Sequence, residues 1–166
     1  AGASIIDARI HTSRDGMALD NLLVQDSQKQ PYTDRKLRGR LVKAIERALV
    51  ADQLPPPPAT QPLARRRAAF AVAPSVVVAE RASTRTTVVE VNARDREGLL
   101  ARLALAIHDQ GHQIHSAHIA TYGDRAVDTF YLTNAAGRKL RPDQIVELRA
   151  ALSVAAGPAE RTSRAA

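Results

Sequence analysis

Polar and apolar residues alternate over the first 26 positions: Ile6, Ala8 and Ile10 are separated by Asp7 and Arg9, and a second run carries Ala18, Asp20, Leu22 and Val24 on one parity. Period-two alternation broken by a turn predicts a β-hairpin. The same pattern returns near the C-terminus, where Gly111, Ile114, Ala117, Ile119, Thr121, Ala126, Val127, Asp128, Phe130 and Leu132 answer Gly2, Ile5, Ala8, Ile10, Thr12, Ala18, Leu19, Asp20, Leu22 and Val24. The offset is 109 residues before the turn (Ile10 to Ile119) and 108 after it (Asp20 to Asp128). The chain therefore contains an internal repeat whose copies differ by one turn residue.

That difference has a physical account. Gly123-Asp124 is a two-residue loop with Gly first, as a type II′ turn prefers, and Arg14-Asp15-Gly16 is a three-residue loop ending in a Gly suited to the left-handed region. Both loops give one register. Ile119 is expected opposite Asp128, Ala117 opposite Phe130 and His115 opposite Leu132; in the first copy Ile10 faces Asp20, Ala8 faces Leu22 and Ile6 faces Val24. His115, Ala117 and Ile119 then share the core face, with Ile114, Ser116 and His118 on the other. Asp20 and Asp128 fall on the core side, where hydrogen bonds are expected to compensate them and hold the hairpin end.

Helical spacing governs the rest. Leu37, Leu41, Ala44, Ile45, Ala48 and Leu49 form one stripe in residues 34–50, predicting a helix packed on the first hairpin. Residues 75–79 and 86–91 read as strands, residues 95–110 as a helix with Leu99, Leu100, Leu103, Ala104 and Ile107 on one face, and residues 142–154 as a helix opened by Pro142. The second half is thus strand, strand, helix, strand, strand, helix. Since only a short polar and Ala-rich tail follows, residues 75–79 substitute for a closing strand. The expected fold is α+β and ferredoxin-like: a four-stranded antiparallel sheet with two helices on one face, in permuted ββαββα order. Residues 1–52 form a truncated first module lacking any equivalent of residues 75–110. Residues 53–74 form a linker with Pro55-Pro56-Pro57-Pro58 and Arg65-Arg66-Arg67, residues 75–156 the second module, and residues 157–166 a disordered tail.

Two stretches carry a family resemblance. Residues 87–100, reading Thr-Val-Val-Glu-Val-Asn-Ala-Arg-Asp-Arg-Glu-Gly-Leu-Leu, and the run from Ser116 to Tyr131 resemble the C-terminal tandem ACT domains of bacterial PII uridylyltransferase/uridylyl-removing enzymes. Asp7-Ala8-Arg9-Ile10 and Asp15-Gly16-Met17-Ala18-Leu19-Asp20 are similar to the hairpin of that family's first ACT domain. The resemblance implies a sensor of glutamine or a similar amino acid. In such enzymes it acts beside a nucleotidyltransferase domain, which uridylylates PII, and an HD-type phosphohydrolase domain, which removes the nucleotide. It also implies Mg²⁺ for that catalytic domain alone and no cofactor here, with the catalytic domains and PII as partners. The chain starts at Ala1 without Met, which reads as a fragment of something longer. Where ACT loops usually carry Pro this chain has Glu97, adding a charge beside the implied pocket.

The candidate site begins with that loop. Asn92, Asp95, Arg96, Glu97, Gly98, Leu99 and Leu100 join a strand to a helix, where Asp95 can cap backbone N–H groups and Gly98 lets a ligand approach the main chain. Free N–H groups and the positive end of a helix dipole suit a carboxylate, although an ordinary helix start has the same letters. In ACT pairs a ligand commonly sits between one module's loop and a neighbouring module's second strand, which adds Asp7 and Arg9, or Ser116 and His118. Plain solvent exposure is the competing reading of these four.

Composition narrows the alternatives. Cysteine is absent, which excludes disulfides, thiol nucleophiles and Cys-based zinc sites. His108, His112, His115 and His118 lack an acidic ligand that would complete a tetrahedral set. No Ser-His-Asp arrangement, phosphate-binding Gly-rich loop or paired acidic cluster is present to support catalysis. The net charge of +7 raises nucleic-acid binding, but with 3% aromatic residues the stacking platforms are missing, and the Arg run reads as solvated linker. No apolar run is long enough for a bilayer and no signal-peptide pattern opens the chain, so a cytoplasmic protein is expected. A rival to sensing is a ligand-independent module that forms homo-oligomers through sheet edges.

Overall fold

The computed structural model describes residues 3–13, 15, 17–26, 28–51 and 73–158. The Pro-rich stretch, Arg65-Arg66-Arg67, the turn residues Arg14 and Gly16, and residues 159–166 lie outside the described residues. The elements are β1 (Ser4–Thr12), β2 (Ala18–Gln25), α1 (Arg35–Leu49), β3 (Ser75–Ala79), β4 (Thr87–Arg94), α2 (Leu99–Asp109), β5 (Gln113–Tyr122), β6 (Arg125–Thr133) and α3 (Pro142–Ala156).

The strands form one antiparallel sheet in the order β2-β1-β5-β6-β4-β3. The expected four-stranded sheet is therefore part of a six-stranded one. Its outer strand is β3, as the substitution for a closing strand requires, but the first hairpin extends the sheet because β1 pairs with β5. A lone hairpin in water is marginal, so joining an existing sheet is its route to order.

The seam between the hairpins has an internal symmetry. Arg9 lies opposite His118, its own counterpart in the repeat; Ala8 lies opposite Ile119 and Ile10 opposite Ala117, so exchanging the copies reproduces the pairing. A pseudo-two-fold axis passes through the Arg9–His118 pair. On the core side each Ala meets an Ile, which matches volumes across the seam.

Both hairpins follow the expected register near their turns, with Ile10 opposite Asp20, Ala8 opposite Leu22, Ile119 opposite Asp128 and Ala117 opposite Phe130. Further from the turn the expectation fails twice, at equivalent places. Ile5, not Ile6, is opposite Val24, and Ile114, not His115, is opposite Leu132, because the register shifts between Ile5 and Asp7 and between Ile114 and Ser116. A bulge inserts one residue and switches parity beyond it. Ile114 consequently packs against the core, and the His115 Nε2 atom meets Thr133 Oγ1 at 2.8 Å. Gly123 takes φ 62° while Asp124 does not take positive φ, as the type II′ turn requires.

One face of the sheet carries the core. Ala8, Val89, Val91, Ala93, Ala117, Ile119, Ala126, Phe130 and Leu132 are buried there beneath Leu99, Leu103 and Ile107 of α2 and Leu148 and Leu152 of α3. The small sheet residues let the two helices sit close to the strands and to each other.

α1 departs from expectation. Asp34 caps it by accepting hydrogen bonds from the Lys36 and Leu37 N–H groups at 2.7 and 2.9 Å, yet none of its residues is buried and it packs on no other described element. Its apolar stripe is left open among the described residues, with Ile45 and Leu49 exposed. Leu103→Ala is expected to cost about 2–5 kcal/mol of stability by leaving a cavity, whereas Leu49→Ala should cost under about 0.5 kcal/mol. Urea unfolding of both variants measures the contrast.

Candidate functional site

Three connections meet at one end of the sheet: the β4–α2 loop, the β5–β6 turn and the β2–α1 loop. The first two are tied by the Asp95 N–H donating to the Asp124 carbonyl at 2.8 Å and by an Arg94–Asp124 ion pair at 3.5 Å. Arg96 reaches the other helix, donating through Nη2 to the Ala155 carbonyl at 2.7 Å in the last turn of α3. A guanidinium at that carboxyl-terminal end is also favoured by the helix dipole. Burial, and then the charge of Arg102, lower the Arg96 pKa from its ordinary value.

The helix starts later than expected. Gly98, at φ 75° and ψ 5°, is the N-cap of α2, and no side chain caps this end. The residues from Asp95 to Gly98 form a turn, because the left-handed Gly98 interrupts the helical path. Asp95 is therefore not the cap; its carboxylate accepts instead from the Arg96 N–H. The Leu99 N–H is used by the Arg96 carbonyl at 3.2 Å, and the Gly98 carbonyl accepts from the Arg102 N–H at 3.0 Å. Leu99 is buried, Leu100 is half-buried and packs against the core, and Glu97 points to solvent. The end of α2 thus carries the positive pole of the helix dipole with no side chain to neutralise it.

Two residues that sequence reasoning did not place in the site adjoin this loop. Asp128 is only 2% exposed, on the helix side of β6, and its Oδ1 has no hydrogen-bond partner. Burial, with a further push from Asp95, raises its pKa to about 7. The expected hydrogen-bonded compensation is absent because its cross-strand neighbours Val91 and Ile119 bring no side-chain donor. Its counterpart Asp20 is exposed, since β2 is an edge strand with no described helix packed on it. The second residue is Lys29 in the β2–α1 loop, the one described non-glycine residue with positive φ, whose charge acts to lower the Asp95 pKa. Burial of the Asp95 carboxyl outweighs that influence and the Arg96 N–H, and Asp124 adds to the rise, although Asp95 as a residue is exposed. A buried Asp in an apolar strand was the legible signal for Asp128; nothing in the sequence marked Lys29.

The other candidates lie elsewhere. Asp7, Arg9, Ser116 and His118 alternate with the core residues and so face away from α2 and α3. Asp7 and His118 come together there, with Oδ1 and Nδ1 3.8 Å apart, and a shallow depression is lined by Asp7, Arg9, Asn21, Leu22 and Leu23. Asn92 shares that face, where its amide donates to Glu90 at 2.7 Å and accepts from Arg125 at 3.0 Å. The loop and these residues thus occupy opposite sides of the sheet. What the first repeat brings to the loop side is Lys29. The histidines scatter: His112 is buried after α2, where burial lowers its pKa against an opposing influence of Glu147, and His118 is exposed.

Comparison with known proteins gives one consistent relation. The chain is 54% identical over 142 residues to a bifunctional uridylyltransferase/uridylyl-removing enzyme of Novosphingobium aromaticivorans, a match spanning 84% of this chain and 16% of that protein. Proteins of the same name from Erythrobacter litoralis and Gluconobacter oxydans are 46% and 43% identical, over 97% and 92% of this chain and 18% and 16% of their own lengths. The chain thus spans about one sixth of the curated relatives it matches. No family model and no solved structure matches. No described helix is long and apolar enough to cross a membrane.

The buried carboxyl sets a pH dependence. Asp128 holds its proton in the folded chain up to about pH 7 but loses it near the ordinary carboxyl value of 3.8 when unfolded. Between those limits the folded state binds more protons, so stability falls as pH rises through the window and levels off above it. The full shift corresponds to at most about 4 kcal/mol. Asp128→Asn should remove most of that slope and raise stability at pH 8, leaving a contribution of the same sign from Asp95 and an opposing one from His112, whose lowered pKa favours the folded state as pH rises. Thermal unfolding of both proteins from pH 4 to 8 measures it.

Proposed function

We propose that this chain is an ACT-type regulatory region that senses glutamine or a closely similar amino acid. In a uridylyltransferase/uridylyl-removing enzyme it would convert occupancy into a shift between uridylylation and deuridylylation of PII. The observation that carries the reading is the start of α2, where Gly98 at φ 75° begins a helix with no side-chain cap. The first turn offers N–H groups and a dipole to a carboxylate, and the 43–54% identity to part of such enzymes supplies the context. The ligand lies on the helix side of the sheet, between the Asp95–Leu100 loop and the β2–α1 loop of the other repeat. Control of this kind requires that the amino acid bind one domain arrangement more tightly than another. The Mg²⁺ of nucleotidyl transfer belongs to a separate catalytic domain.

A second reading has an observation of its own. Leu19, Leu22 and Leu23 of the edge strand β2 and Ile45 and Leu49 of α1 are exposed, and an unpaired strand beside apolar surface recruits another chain. On this reading the region associates without a ligand.

Calorimetric titration with glutamine distinguishes the two. Sensing predicts saturable binding at or below about millimolar concentration, a range that still corresponds to roughly 4 kcal/mol of affinity, and Gly98→Val should weaken it about tenfold or more because a β-branched residue resists positive φ. Absence of heat up to that concentration, together with dimers by light scattering that ignore amino acids, would overturn sensing in favour of association.

A further inference from the structure

α1 differs from its counterpart in the second repeat chiefly in charge. Aligned start to start, the two 15-residue helices set Leu41, Ile45 and Leu49 of α1 at the places of Leu148, Leu152 and Ala156 of α3, which are buried. The repeat thus marks this stripe as the core-facing one. On the opposite side of α1, Lys36, Arg40, Lys43 and Arg47 occupy the places of Asp143, Glu147, Ala150 and Val154, and all of these residues are exposed. Two carboxylates and two apolar residues serve there in the other copy, so the fold does not call for cations at these positions.

Spacings of four, three and four residues put the four cations in one row, about 16 Å long by the helical rise. Neighbours in the row carry like charge, which destabilises the helix. Among the described residues none of the four joins an ion pair. α1 as a whole bears six cations against Glu46 alone, most of the chain's net charge of +7, and it packs on no other described element.

We propose that this row is an electrostatic docking surface for a membrane bearing anionic lipid, with α1 lying along the headgroups. A straight row is tangent to a plane, so all four charges reach a flat surface at one depth, and each Lys or Arg near such a surface adds to the attraction. A nucleic-acid duplex turns its phosphates away from a straight helix, and this face has no aromatic residue to stack on bases. A second copy brings either the same row, which repels, or Asp143 and Glu147 of α3, and Arg141 already holds Asp143 at 2.7 Å. The docking is separate from the amino-acid sensing proposed above and requires no apolar residue to enter the bilayer.

Co-sedimentation of the 166-residue chain with phosphatidylcholine vesicles, with and without phosphatidylglycerol as the anionic lipid, tests this. Binding should appear only with the anionic lipid and fall about tenfold or more between about 0.1 and 0.5 M salt, as the screening length shortens. The double variant Lys43→Gln, Arg47→Gln should weaken it about 30-fold, which is about fivefold per cation. Gln is a good helix former, and circular dichroism should show the helix retained. Arg81→Gln with Arg85→Gln removes the same charge from exposed positions between β3 and β4 and should leave binding within about twofold. Equal weakening by the two double variants would reduce the effect to net charge and overturn the proposal. Binding that ignores salt and is lost in Leu49→Ala would also overturn it, because insertion of the apolar stripe would then carry the interaction. Tighter binding to duplex DNA than to anionic vesicles, or no binding to those vesicles at all, would overturn it and leave sensing untouched.

Discussion

The antiparallel pairing of β1 with β5 is the constraint on which the rest of this structure depends. It turns two hairpins into one sheet, and it can do so because each core-side Ala of one repeat meets an Ile of the other. Two large residues at either position would overfill the seam, and two Ala residues would leave it underpacked. Since the repeat places the same residue types on both sides, the pairing is self-complementary about the Arg9–His118 axis. Both bulges lie at equivalent distances from that axis, so the strands bend alike on either side of the seam.

The axis relates the hairpins but not their surroundings, and that asymmetry makes one end of the sheet distinctive. β6 lies between β5 and β4, whereas β2 is an edge. Phe130 is consequently buried while its counterpart Leu22 is largely exposed. The amphipathic α1 belongs to the same asymmetry: the helix corresponding to it in the second repeat, α3, has α2 to pack against, and α1 has no such neighbour among the described residues. Propensity and the Asp34 cap are enough to form the helix; burial of its stripe is a tertiary matter.

Much of this was legible in the sequence, for identifiable reasons. Period-two alternation placed the strands of the two hairpins, and the Gly123-Asp124 turn fixed the register of the second hairpin as far as Ala117. Alternation says nothing about an inserted residue, so the bulges at Ile6 and His115 were invisible and moved Ile114 to the core. The joining of the hairpins was hidden for a similar reason, since the Ala–Ile complementarity becomes meaningful only once β1 and β5 are neighbours. In the candidate site the loop was placed between β4 and α2 as expected, but the helix cap was set three residues early because Asp95 resembles a cap and the positive φ of Gly98 overrides it. The choice of face then followed from strand parity: Asp7, Arg9, Ser116 and His118 could meet one another, but not a loop on the helix side.

Burial of Asp128 and its solvated counterpart Asp20 together separate what the hairpin needs from what the site contains. If the carboxyl served the turn, both copies would show it hydrogen-bonded near the loop; the exposed copy lies in a strand that pairs normally without that service. The buried copy therefore carries a cost that the hairpin's geometry does not explain. A helix end left without a side-chain cap at Gly98 is a second such feature. Sites that bind tightly are assembled from groups whose own needs are unmet in the empty state, because a ligand that meets them gains what the fold has forgone.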